Sequence, residues 1–70
     1  MKDYTYDYVR PFSEGLATVR NNGWWFHIHP DGSPAYEERF NSVGDFCEGI
    51  ALAEKDGRSF LIRPDGTRAD

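Results

Sequence analysis

A hexapeptide that occurs twice, Phe12-Ser13-Glu14-Gly15-Leu16-Ala17 and Phe46-Cys47-Glu48-Gly49-Ile50-Ala51, constrains this chain more than any other feature. The two copies lie 34 positions apart (46 − 12), and the same offset aligns Gly23, Phe26 and Ile28 with Gly57, Phe60 and Ile62. Pro30-Asp31-Gly32 recurs as Pro64-Asp65-Gly66, and Val9 and Ala35 match Val43 and Ala69. A chain built this way makes one supersecondary unit twice, and each unit needs a neighbour to bury its second face. We expect a single small domain over residues 1–70, made of repeat 1 (about 4–35) and repeat 2 (about 38–69).

Within each copy the pattern is that of strands. Leu16 to Asn21 and Trp24 to His29 flank Asn22-Gly23, a strong two-residue hairpin signal, and Ile50 to Lys55 and Arg58 to Arg63 flank Asp56-Gly57 in the same way. Such a turn fixes the register. It opposes Val19 to Phe26 and Ala17 to Ile28 on one face, and Arg20 to Trp25, Thr18 to His27 and Leu16 to His29 on the other. The first face keeps its character in the second copy (Ala53 with Phe60, Ala51 with Ile62) and is assigned to the core. On the other face Trp25, His27 and His29 become Ser59, Leu61 and Arg63. Trp24 falls on the face of Phe26 and is expected in the core. Tyr4, Tyr6 and Tyr8 alternate with other residues, which predicts an N-terminal strand with three tyrosines packed on one face. Each Pro-Asp-Gly turn should lead into a short third strand, Ser33 to Tyr36 and Thr67 to Ala69, and the link between repeats should become strand from about Phe40. The expected fold class is all-β: two tandem antiparallel meanders of about three strands each, forming a small sheet, a sandwich or a partly open barrel.

Twelve acidic against eight basic residues, without a basic stripe, exclude a phosphate-neutralising surface, so nucleic acid is not an expected partner. No apolar run reaches the length of a membrane-spanning helix, and the N-terminus has no signal-peptide hydrophobic region, which points to a cytoplasmic protein. One cysteine, Cys47, permits no disulfide within the chain.

The pattern Phe-x-Glu-Gly-Leu-Ala, strand, Asn-Gly or Asp-Gly turn, tryptophan-bearing strand and Asp-Gly turn resembles the WG repeat of bacterial proteins, from about Tyr6 to the end. The resemblance implies an all-β repeat that occurs in longer arrays and has no assigned catalytic site. The family tryptophan corresponds to Trp25 and is replaced by Ser59 in the second copy, and the glycine that follows it is replaced by Phe26 and Phe60.

No enzymatic motif stands out. Glu14 and Glu48 invite a reading as paired carboxylates, but residues present once per repeat beside Gly15 and Gly49 are expected to serve the turn by accepting backbone N–H bonds. Phe12, Glu14, Gly15, Phe46, Glu48 and Gly49 are therefore read as the structural repeat motif. Cys47, aligned with Ser13, is expected to be a turn residue and not a nucleophile, and no cofactor is implied. Candidate binding residues are those the copies do not share: Trp25, His27 and His29, with Arg20 beside them. Two histidines two apart on a strand could also chelate a metal if a third ligand joined them. The leading expectation is a non-catalytic module that binds protein, by self-association as a homo-oligomer or as part of a longer repeat array. The alternative is a carbohydrate-type ligand stacked on Trp25 and the tyrosines.

Overall fold

The computed structural model describes residues 6–69, in which there is no helix. Six strands follow one another: β1 Tyr8–Val9, β2 Ala17–Asn21, β3 Trp24–Ile28, β4 Ser42–Val43, β5 Ala51–Lys55 and β6 Arg58–Ile62. They form two antiparallel three-stranded sheets, β1-β2-β3 and β4-β5-β6, that do not close into a barrel. The hairpins pair as the turn chemistry predicts, with Val19 opposite Phe26 and Ala53 opposite Phe60. Asn22 and Gly23 (φ 55° and 84°) and Asp56 and Gly57 (φ 54° and 80°) supply the two positive φ angles that a tight hairpin turn of matching twist requires. The 34-residue offset holds in the backbone, where Tyr8 opposite Arg20 recurs as Ser42 opposite Glu54.

Three expectations are corrected. The segments after the Pro-Asp-Gly turns are not strands: each makes one isolated bridge, Ile28 to Pro34 and Ile62 to Arg68, before the chain departs. Proline has no N–H to donate, so Pro34 cannot extend a ladder. The third strand of each sheet is instead the short one that precedes the Glu-Gly hexapeptide. The tyrosines, second, do not share a face. Tyr6 packs edge-on against Phe26 on the core side, whereas Tyr8 packs edge-on against Trp25 on the opposite side and is exposed. A bend at Asp7 between them breaks the alternation, and Tyr4 lies outside the described residues. Third, Trp24 is exposed, because it borders the hairpin turn where no further strand covers it.

The core is one cluster drawn from both sheets. Ala17, Val19, Phe26 and Ile28 of the first meet Phe40, Val43, Ala51, Ala53 and Ile62 around the second. The inter-repeat link carries this union. Phe40 bridges to Trp25 through two backbone bonds of 2.8 and 2.9 Å, and its ring lies edge-on to those of Tyr36 and Phe60. Tyr36 also presses on the second Pro-Asp-Gly turn, where a Cβ added to Gly66 would come within 2.7 Å of the tyrosine ring. Glycine is required there twice over, by that approach and by φ +87°.

Candidate functional site

The second face of each hairpin was left outside the expected core, with His27 among the candidate binding residues, but in the first sheet it is interior. Leu16, Thr18 and His27 are all buried. What covers them is the start of the second repeat. The Phe46 ring lies 4.3 Å from the His27 ring, centroid to centroid, and Asp45 Oδ1 accepts a 2.7 Å bond from the Thr18 hydroxyl. His27 is held at both nitrogens, with Nε2 2.8 Å from the Gly44 carbonyl and Nδ1 2.6 Å from the Tyr36 hydroxyl. A carbonyl can only accept, so Nε2 carries the proton and Nδ1 accepts from Tyr36. Loss of solvation lowers the His27 pKa below its ordinary value, against smaller raising effects of the Gly44 carbonyl and the Asp45 charge. The same burial raises the Tyr36 phenol, so the pair is neutral near pH 7.

The hexapeptide completes this joint. Glu14-Gly15 and Glu48-Gly49 are tight turns with positive φ at both residues, closed by the bridges Ser13 to Leu16 and Cys47 to Ile50. Glu14 does accept backbone N–H groups, as expected of it, but not those of its own turn. Its carboxylate reaches the N–H groups of Glu48 and of Gly49 (2.9 Å), one repeat further on, and Ser13 Oγ donates to the Phe46 carbonyl at 2.8 Å. The first copy of the motif thus couples the first repeat to the second through Glu14 and Ser13.

The expected binding residues are dispersed by this arrangement. Arg20 and His29 are exposed, Trp25 is half-buried beneath Tyr8, and His27 is wholly interior. A His27–His29 metal pair is overturned, since both His27 nitrogens are engaged by protein groups. Among the described residues no group of three His, Cys, Asp or Glu side chains could hold a metal ion. Cys47 is exposed and is in no disulfide.

The second sheet presents the contrasting surface. Leu52, the equivalent of Thr18, is 58% exposed, Ile50 is 36% exposed where Leu16 is 7%, and Leu61, replacing His27, is half-buried. At the other end of the chain Phe12 is 49% exposed where Phe46 is 2%. Beside Leu52 runs a groove of about 380 Å³ lined by Arg10, Ser42, Gly44, Glu54 and Ser59. It exists because Ser42 and Ser59 stand where the first sheet has the Tyr8–Trp25 pair. Sequence reasoning did not single out Phe12 and Leu52 as surface; the available signal was the apolar Leu52–Leu61 pair on the face not assigned to the core.

Two stacked three-stranded units, coupled by a motif that each carries, define a β-repeat module. The family model for the WG containing repeat matches residues 3–25, a stretch that takes in the first strand, the Glu-Gly turn and Trp25, so this third of the chain is similar to that repeat. No curated protein and no solved structure matches the chain.

Proposed function

We propose that this chain is a non-catalytic protein-binding module and that its binding surface is the second face of the β4-β5-β6 sheet. The observation that supports this reading is the exposure of Ile50 and Leu52 on a face whose counterpart in the first sheet is buried under protein. A sheet face carrying an opposed leucine pair gains from removal from water, by about 25 cal/mol for each Å² of apolar surface covered. The carbohydrate-type reading draws less support, because Trp25 is half-buried under Tyr8 and does not line the groove.

A photo-crosslinking residue at position 52, introduced in cells that express the chain, tests the reading. The expected result is a protein adduct of discrete mass from position 52 that disappears when Leu61→Asp is added. Absence of any protein adduct from position 52, with the chain folded, overturns it.

A further inference from the structure

We propose that the occupant of this face is a second copy of the chain, joined head to tail. The Phe12 ring of one copy seats on Ile50, Leu52 and Leu61 of the next, and the N–H groups of its Glu14 and Gly15 bind the next copy's Glu48 carboxylate. The proposal rests on the binding-module reading and names its partner.

The internal joint supplies the template. Shifted by 34 positions, Phe46 on His27 becomes Phe12 on Leu61, and Glu14 binding Glu48 and Gly49 becomes Glu48 binding Glu14 and Gly15. Ser13 donating to the Phe46 carbonyl becomes Cys47 facing the Phe12 carbonyl. Each required group is free to do this. Among the described residues the Glu48 carboxylate accepts no hydrogen bond, and the N–H groups of Glu14 and Gly15 donate none. Nor does Ser59 make the backbone bridge that its equivalent Trp25 makes to Phe40.

The two ends also match in chemistry. In the internal joint a polar residue on the face, Thr18, meets a polar residue on the incoming loop, Asp45. At the open end Leu52 replaces Thr18, and the residue in the place of Asp45 is Pro11. Both sides change from polar to apolar together. An aspartate at position 11 would face leucine and lose its hydrogen-bond partner, whereas proline against leucine removes apolar surface from water. A two-fold contact between two such faces would leave Phe12 exposed and would not bring the Glu14 and Gly15 N–H groups to Glu48 as the internal joint brings Glu48 and Gly49 to Glu14. The complementary surfaces lie at different ends, so the joint is heterologous and builds a ring or an open filament.

Sedimentation of purified chain with complementary blocks tests this. Phe12→Asp blocks the head and Leu52→Asp blocks the tail, both at exposed positions, and thermal melts establish that each variant folds. If Phe12→Asp fails to fold, Pro11→Asp serves as the head block. The wild-type mass is expected to rise with concentration from micromolar to millimolar, and each variant alone should remain a monomer. Their equimolar mixture should form a dimer and stop there, because one good head meets one good tail. Glu48→Gln in the head-blocked partner should weaken that dimer about tenfold through loss of charge-assisted bonds. A wild-type chain that stays monomeric throughout, a single variant that assembles as the wild type does, or a mixture that remains monomeric overturns the proposal. A monomer that still cross-links from position 52 to a different protein removes the self-partner and leaves the binding-module reading standing; failure of both ends both.

Discussion

The two hairpins share a register and a turn geometry, yet the second face of one is interior and that of the other is surface. Position by position, Leu16, Thr18 and His27 lie under Phe46, Asp45 and Gly44, whereas Ile50, Leu52 and Leu61 have no such cover among the described residues. The difference shows that a repeat of this kind is not a closed unit. The inner faces of both repeats merge in one core, and the outer face of the first is covered by the second.

The sharpest way to break the comparison is to truncate the two equivalent phenylalanines. Phe46→Ala should cost about 3–5 kcal/mol, the range for a fully buried aromatic, which rivals the whole net stability of a domain this small. Phe12→Ala, at an exposed ring, should cost less than about 1 kcal/mol in dilute solution. Urea denaturation of both variants checks this, and equal losses would mean that the two ends are not distinct.

Glycines offer the next contrast. Gly66→Ala places a methyl 2.7 Å from the Tyr36 ring at a positive φ, and should destabilise by about 2–4 kcal/mol. Gly23→Ala has the same backbone strain with nothing within 4 Å of the new carbon, and should cost about 1–2 kcal/mol. The gap between the two melting curves isolates the contribution of Tyr36 to the joint.

Carboxylates come third. Glu14→Gln weakens two charge-assisted bonds across the joint and should cost about 1 kcal/mol, discounted because the site is exposed. Glu48→Gln should leave the dilute chain within about 0.5 kcal/mol of wild type, since its carboxylate has no partner among the described residues. A double-mutant cycle with the Gly49 amide cannot be built from side chains, so amide hydrogen exchange at Glu48 and Gly49 provides the second readout. Faster exchange there in Glu14→Gln is expected.

These contrasts also mark how far the sequence carries. Asn22-Gly23 and Asp56-Gly57 made the register legible, because a two-residue turn leaves one pairing open, and alternation then assigned Ala17, Val19, Phe26 and Ile28 to the core. Alternation identifies two faces but not what covers them. The lid over His27 comes from Gly44, Asp45 and Phe46, distant in sequence, so His27 and Thr18 were not assigned to the core although they are interior. The tyrosines misled for a related reason, since a bend at Asp7 changes parity without any proline or glycine to announce it. The Glu-Gly turn was legible as structure; its reach into the following repeat was not, because a long carboxylate side chain crosses between copies whose spacing depends on the packed core.

The smallest expected effect concerns pH, and it separates the two faces by chemistry alone. His27 has its pKa lowered in the fold, chiefly by burial, while the unfolded chain titrates near the ordinary value of about 6.5. Below that value the unfolded state binds more protons, so stability is fully present above it and is lost as pH falls toward the lowered folded value. Between pH 7 and pH 6 the loss from this one group should approach about 0.7 kcal/mol. The other titratable groups facing His27 are Asp45 and Tyr36, and burial raises the Tyr36 phenol further above its ordinary value, so it stays neutral throughout this window. His27→Gln keeps a donor and an acceptor in the pocket and removes the titration. Its melting temperature should be lower than wild type but flat between pH 7 and pH 6. A slope unchanged by the substitution would place the sensitivity elsewhere in the chain. Position 61 carries leucine, so the open face has no counterpart of the buried His27 imidazole.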